Sequence, residues 1–373
     1  MSPIRCTFNW LLLSLLWGST LHAQSPHHAT VAVLTNAEGA HLSAYFPALA
    51  ASPETREVFL SDPSGKTGDE ARKALGAKLG GVYSSAAELF AKHHPQLTLV
   101  SLEPGLAPAA IEAALDAGSH VLVEKPACLS IAEFARLCQK ANAKKLHLML
   151  ALANRLNPET VFALDLIRQN KIGKVYGVEM HLIADQTRLT KPSYHSSWYA
   201  QKARGGGGHL IWLGLHWLDL AMFLTGSEVS DVAGFITNIG GQPLDVEDSA
   251  ALTLKFGNGA LGTLNSGYYL DKGYHSHLKI WGANGWIELN RHGASVPFRY
   301  YSTTDATPEI KTFTPEGPSG YTPFVSACVR SALGLEPPPV STSDSLRIIA
   351  TVFTAYRAAE TRQTQAVPKP SAP

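Results

Sequence analysis

Cysteine is scarce in this 373-residue chain: four residues, Cys6, Cys128, Cys138 and Cys328. Four scattered thiols exclude a disulfide scaffold, and buried thiols are the expectation for Cys128 and Cys138 in their apolar surroundings. Charge is scarce as well, with 16% charged residues and a formal net charge of +1. No basic stripe or acidic tail stands out, which argues against a nucleic-acid partner or an electrostatic membrane partner. No apolar run reaches the roughly 18–20 residues that would span a bilayer. The 15 histidines include no His-x-x-x-His pair, and there is no Cys-x-x-Cys, so no metal site is expected. What remains is 45% hydrophobic residues, enough for a large core, over a length that predicts two domains.

Met1 to Ala23 reads as a secretory signal. Arg5 supplies the positive start, Trp10 to Trp17 the apolar stretch, and Ala23 the small residue before Gln24. No Arg-Arg pair is present, so Sec-type export to the periplasm or medium is the expectation, with no membrane partner once the signal is removed.

From residue 24 to 153 short apolar runs alternate with helical stretches. Strands are expected at Thr30–Leu34, Glu57–Ser61, Leu97–Leu102, His120–Val123 and His147–Ala151. The intervening helices are expected at His41–Ala51, Gly68–Leu79, Ala86–His93, Pro108–Ala117 and Ile131–Ala143. Such alternation predicts an α/β fold with a doubly wound parallel sheet. From 154 to 362 the strands lengthen and alternate apolar with polar residues. Two hairpins, 250–264 and 277–289, predict a second α/β domain with a large, mostly antiparallel, open-faced sheet. A last helix is expected over Ser343–Thr361 with Ser343 as N-cap, and 363–373 is read as a flexible tail.

A doubly wound sheet directs attention to its first strand–helix turn. Thr35-Asn36-Ala37-Glu38-Gly39-Ala40 is small but lacks glycine at the first, third and sixth positions of a dinucleotide turn. Glu38 puts a carboxylate where phosphates would lie. Asp62 ends the second strand, where an acid bonds a ribose 2′-hydroxyl and disfavours NADP; the competing role is a turn residue before Pro63-Ser64-Gly65.

Further along, the motifs come in a particular order: Glu124-Lys125-Pro126 at a strand end, Asn154-Arg155-Leu156-Asn157-Pro158, Ile172-Gly173-Lys174, then Gly206-Gly207-Gly208-His209 to Gly214-Leu215-His216-Trp217-Leu218-Asp219, and Val246-Glu247-Asp248-Ser249. In this order and spacing the chain resembles the glucose–fructose oxidoreductase / inositol dehydrogenase / rhizopine-catabolism (Gfo/Idh/MocA) family over nearly its whole mature length. The resemblance implies NAD(P), NAD more than NADP, held by Thr35, Asn36, Ala37, Gly39, Asp62, Pro104, Glu124 and Lys125. It also implies a small carbohydrate substrate, and a homodimer or homotetramer joined through the open sheet.

Alcohol oxidation needs a proton acceptor, a cation for the developing alkoxide and a hydride acceptor. Lys125, at the carboxyl edge of the sheet, suits the cation, and His216, with an ordinary imidazole pKa of about 6.5, suits the base. Asp219 shares a helical face with His216 and either orients its ring or makes a packing bond. The family's usual aspartate four residues before the histidine is replaced by Trp212, which can stack on a sugar but cannot take a proton. Arg155, Tyr194, His195 and Trp198 complete the expected substrate set, and Lys202 and Arg204 could meet an acidic sugar. The expected activity is an NAD(P)-dependent oxidoreductase of a sugar or cyclitol with tightly held cofactor. Two alternatives stand beside it: a glycoside hydrolase working through transient C3 oxidation, and a non-catalytic carbohydrate-binding protein.

Overall fold

The computed structural model describes residues 27–292 and 295–369. The export signal expected at Met1–Ala23 lies outside the described residues, as does the end of the expected tail, 370–373.

The first sheet has six parallel strands: β1 (Ala29–Thr35), β2 (Thr55–Ser61), β3 (Leu79–Tyr83), β4 (Leu97–Ser101), β5 (His120–Val123) and β6 (Leu148–Leu150). Their order is β3-β2-β1-β4-β5-β6, the doubly wound arrangement expected. The connecting helices are α1 (Leu42–Ala51), α2 (Gly68–Leu75), α3 (Ala86–Lys92), α4 (Ala107–Asp116) and α5 (Ile131–Ala143). β4 is buried at every residue and β1 at all but Thr30, as strands covered on both faces must be, hence their unbroken apolar runs. Because β1 neighbours both β2 and β4, the connections diverge there, and a crevice opens at the carboxyl ends of β1 and β4. β3 is an element the sequence reading missed: Leu79-Gly80-Gly81-Val82-Tyr83 is short and glycine-rich, weak on every strand signal.

The second part begins with α6 (Pro158–Arg168) and carries nine strands. These are β7 (Val175–Asp185), β8 (Val229–Thr237), β9 (Ser249–Phe256), β10 (Leu261–Leu270), β11 (His275–Gly282), β12 (Gly285–His292), β13 (Phe298–Ser302), β14 (Lys311–Phe313) and β15 (Gln365–Ala366). The order is β14-β13-β12-β11-β7-β10-β9-β8-β15, antiparallel except for the parallel pair β7–β10. Between β7 and β8 lie two single-turn helices, α7 (Pro192–His195) and α8 (Lys202–Gly205), and then α9 (Leu215–Thr225), which covers the inner face of the sheet.

Helices of the second part return to the first: α10 (Tyr321–Ala332) packs on α1, and α11 (Thr342–Thr361) packs on α5 and β6. At the edge of the first sheet, Thr342 Oγ1 and Ser345 Oγ accept the N–H groups of Leu148 and Leu150 at 3.0 Å each. Two hydroxyls thus do what a further strand would do for that edge. The cap of α11 is Ser341, not Ser343: its hydroxyl accepts the Asp344 N–H while the Asp344 carboxylate accepts the Ser341 N–H, a reciprocal box that Ser343, two residues later, cannot form. Finally, the tail is not wholly free, since Gln365 and Ala366 pair with Val232 and Asp231 on β8.

Candidate active site

The turn after β1 is tied down from beneath. Thr35 Oγ1 donates to the Ser101 carbonyl at 2.9 Å, and Ser101 Oγ donates to the Ala40 carbonyl at 2.6 Å. A Cβ on Gly39 would lie 2.0 Å from Thr35 Oγ1 and 2.9 Å from the Ser101 oxygen. The close approach that a dinucleotide turn needs is therefore served by Gly39, one position before the last of the expected three. Ala37 is exposed and Asn36 half-buried, and α1 begins just after this turn. A small turn, a helix N-terminus and a sheet switch point fit a dinucleotide pyrophosphate. Pro104 is buried just beyond β4.

Asp62 does not fit the ribose role. Its Oδ1 accepts the Ser64 N–H at 2.9 Å and the Ser64 hydroxyl at 2.5 Å, and its Oδ2 accepts the Thr67 N–H and hydroxyl at 2.8 Å each. Both oxygens are fully engaged within one loop, so Asp62 is the turn residue of the competing reading. Glu38 does not confront phosphates alone either. Arg204 on α8 reaches across to Glu38 at 2.6 Å and also pairs with Glu103. Lys202 pairs with Glu360 at 3.3 Å. Neither cation is left free for an acidic sugar.

The carboxyl end of β5 carries the charged centre. Glu124 is buried and accepts the Tyr45 hydroxyl at 2.5 Å, the His41 imidazole at 3.1 Å and the Lys125 N–H at 3.1 Å. Burial works to raise its pKa, but His41 and Lys125 prevail and hold the carboxyl at about 2. Lys125, 3% exposed, lies 3.7 Å from Glu124 Oε1 and donates to the Trp212 carbonyl at 2.8 Å. Its ammonium also sits 3.5 Å from the centre of the Trp212 ring. Burial pushes its pKa down to about 8, against Glu124 and with help from the Arg188 charge. A buried ammonium whose acid partner stands off at ion-pair distance is poised to exchange a proton near neutral pH.

Trp212 occupies a single π-helical turn, Leu210–Gly214, directly ahead of α9. Its ring packs on Trp198 and Tyr199, each with ring centres 4.7 Å away. Trp198 in turn donates from its indole to the Glu38 carbonyl at 3.3 Å. Trp212 thus replaces a carboxylate with a ring face and a carbonyl, both turned to the Lys125 ammonium. The glycine loop that leads into this turn is held by Glu247, which accepts the N–H groups of Gly208 (2.7 Å) and Leu210 (2.9 Å) and the Tyr356 hydroxyl (2.7 Å). At Gly208 a Cβ would sit 2.0 Å from the Glu247 carbonyl, so only glycine lets the loop approach the segment ahead of β9.

His216 lies on α9 beside a cavity of about 160 Å³ that Asn154, Leu213, Tyr274, Arg291 and His292 also line. Its Nδ1 is buried and has no hydrogen-bond partner among the described residues. Burial, and then the Lys125 charge, push its pKa well below the usual imidazole value. His216 is therefore a neutral ring in this site, and Lys125 is the group whose pKa lies nearer neutrality. Asp219 makes no hydrogen bond to the His216 ring and turns to Arg155 instead. Arg155 forks onto Asp219 with contacts of 2.6 and 3.0 Å and bonds Asp344 at 2.9 Å, the pair being 5% and 1% exposed. Both are corrected to structural roles, because each satisfies the other's charge. His195 is spent on the Leu189 carbonyl at 2.5 Å, closing its own turn. Tyr194 joins a small cluster with Tyr268, Tyr274 and Leu189.

Arg188 was not anticipated. It follows β7 in a polar run, Asp185-Gln186-Thr187-Arg188, with no periodicity or motif to mark it. Its guanidinium donates to Tyr274 Oη at 2.8 Å and faces the rings of Tyr268 and Tyr274 at 5.4 and 5.8 Å.

A parallel sheet with a dinucleotide crevice, joined to a second sheet whose helix brings an imidazole toward a tuned lysine, defines an NAD-binding oxidoreductase of two-domain build. Residues 37–152 match the pattern of the oxidoreductase family with an NAD-binding Rossmann fold, and residues 161–288 match the GFO/IDH/MocA C-terminal domain. The chain belongs to the Gfo/Idh/MocA family. It is similar to an uncharacterised oxidoreductase of Schizosaccharomyces pombe, 31% identical over 214 residues, 57% of this chain and 56% of the relative. It is also 26% identical over 211 residues to a levoglucosan dehydrogenase of Pseudarthrobacter phenanthrenivorans, 50% of this chain and 51% of that one. The matched stretches thus span little more than half the length of these relatives. Among solved structures, levoglucosan dehydrogenase in complex with NADH and L-sorbose superposes with a TM-score of 0.80 over 92% of this chain and all of that one, at 19% identity, a likeness of fold.

Proposed function

We propose that the protein interconverts a hydroxyl and a carbonyl of a sugar or cyclitol, using NAD. The observation that carries this reading is Lys125: buried, under-neutralised, with its pKa at about 8, on the carboxyl edge of a dinucleotide-type sheet. Bound NAD supplies the hydride acceptor or donor. Thr35, Asn36, Ala37, Gly39 and the start of α1 would hold its pyrophosphate. Lys125 Nζ takes the hydroxyl proton in oxidation and returns it in reduction, while the Trp212 carbonyl and Glu124 keep the ammonium aimed. His216, neutral, is left with a ring nitrogen for a second substrate hydroxyl. Tyr199, half-buried and backed by Trp198 and Trp212, supplies a flat apolar surface for a sugar ring.

The levoglucosan dehydrogenase among the relatives supports a carbohydrate substrate. The signal-like segment supports export, and export in turn supports a retained cofactor, since free nucleotide would not be regenerated outside the cell. Phe235 and Leu261, 76% and 60% exposed on the second sheet, support a dimer or tetramer joined through that sheet.

The test has two parts. Nucleotide released on denaturation is identified, and NADH formation from a panel of sugars and cyclitols is followed against pH. Oxidation needs the neutral amine, so kcat/KM should rise with pH and level off above about 8. Protein that neither carries nor binds NAD(H) defeats the reading, and a flat pH profile removes Lys125 from proton transfer.

A further inference from the structure

Among the described residues, most side-chain charges close to Lys125 and His216 are matched. Arg291 pairs with Glu159 at 3.3 Å, Arg155 with Asp219 and Asp344, and Arg204 with Glu38 and Glu103. Arg188 is not. No carboxylate among the described residues lies within 4 Å of its guanidinium, and its one side-chain hydrogen bond goes to a neutral phenol, Tyr274 Oη. Its other four donors have no protein partner among the described residues. Around it stand Tyr268 and Tyr274, whose rings it faces, and Tyr194 belongs to the same cluster. These rings hold a half-buried cation without neutralising it.

Tyr274 connects this group to the reaction site, because the same side chain lines the cavity that His216, Arg291 and His292 face. The ionisable side chains of that lining are one guanidinium, two imidazoles and the Tyr274 phenol, with no carboxylate. The Arg188 charge is also felt at Lys125, whose ammonium it disfavours after burial has done so. A half-buried guanidinium without a carboxylate partner among the described residues, beside a cavity whose lining also offers none, is a ready receptor for an anion.

On the reading of the protein as a carbohydrate oxidoreductase, we propose that its substrate is an acidic sugar, a ring bearing a carboxylate, and that Arg188, steadied by Tyr274, is the residue that receives the carboxylate. The planar fork of arginine matches the two oxygens of a carboxylate, and the tyrosine hydroxyl fixes one arm of the fork so that the others point away from it. The ring then lies between Arg188 and the Lys125–His216 pair, with the carboxylate far from the hydroxyl that reacts. The acidic-sugar chemistry expected of Lys202 and Arg204 belongs instead to a residue that sequence patterning did not mark.

The experiment measures binding of D-glucuronate and D-galacturonate, each against its neutral counterpart D-glucose or D-galactose, by calorimetry on the full protein with and without NADH. A uronate should bind at least about tenfold more tightly than its neutral partner, the worth of one charged hydrogen-bonded contact. Arg188→Gln should shrink that ratio by roughly ten- to a hundredfold, Arg188→Lys should restore part of it, and Tyr274→Phe should lower it by a smaller factor. If Arg188→Gln melts early, the lysine and phenylalanine variants carry the comparison. Equal affinity for acid and neutral sugar overturns the proposal, as does an Arg188→Gln variant that weakens both alike. A sugar phosphate that outcompetes both uronates overturns the carboxylate assignment. Uronate bound through Arg188 with no NADH formed defeats the oxidoreductase reading and supports the anion site. Neutral sugars oxidised without regard to Arg188 defeat the anion site alone.

Discussion

Two buried ion pairs in this protein look alike in sequence and act differently in structure. Arg155 and Asp219 meet by a two-bond fork, with Asp344 taking a further arm. Lys125 and Glu124 are equally buried but stand 3.7 Å apart, and the lysine leans on a carbonyl and an indole face instead. In the first pair every charge has its complement, so the pair holds α9 and α11 to the segment before α6 and has nothing left to offer. In the second the ammonium is under-compensated, its proton is loosely held, and that deficit is what chemistry can use. Completeness of neutralisation, not burial, separates a strut from a reactive group.

The contrast can be broken from either side. Lys125→Met should cost the largest effect on activity, a fall of about 10² to 10⁴ in kcat, with only a modest drop in melting temperature, because Glu124 loses one buried cation but keeps His41 and Tyr45 as partners. Steady-state kinetics beside calorimetric melting read both, and a large loss of stability would move Lys125 into the structural class. Asp219→Ala should do the reverse, destabilising by about 3 kcal/mol because Arg155 is left largely unpaired. The double change Arg155→Met with Asp219→Leu should recover much of that. Denaturant unfolding measures it, and a double variant no better than the single one would mean that the fork contributes beyond neutralisation. The smallest effect is expected at Asp62. Asp62→Ala strips the bonds of Ser64 and Thr67 and should cost about 1–2 kcal/mol, while the ratio of NAD to NADP affinity stays the same. A changed ratio would return Asp62 to the ribose.

Much of the fold was legible because local periodicity reports it. Val121-Leu122-Val123 and Leu97 to Val100 are apolar without interruption because both faces of the first sheet are covered, and the alternating runs of β9 and β10 reflect one covered face. β3 escaped because two glycines leave it almost no side-chain signal. The return of α10 and α11 to the first domain escaped because long-range packing leaves no mark in a sequence window. At the site, Lys125, Glu124 and the glycine loop were legible from motif and spacing. A ligand role for Asp62, Arg155 and Asp219 stood beside structural alternatives for the two acids, because an acid or an arginine has the same letter whether its oxygens or donors are free or spent.

The sequence by itself determined the order of strands and helices, the two-part build, and the lysine at the carboxyl edge of a parallel sheet, since each depends on residues close in the chain. Only the tertiary structure decided which charges are satisfied. The indole placed under Lys125 lies 87 positions away, the hydroxyl that steadies Arg188 lies 86 positions away, and the carboxylate that silences Arg155 lies 64 positions away. Electrostatic balance is a property of distances in space, falling with separation and rising with burial, and neither quantity is written in the order of the residues.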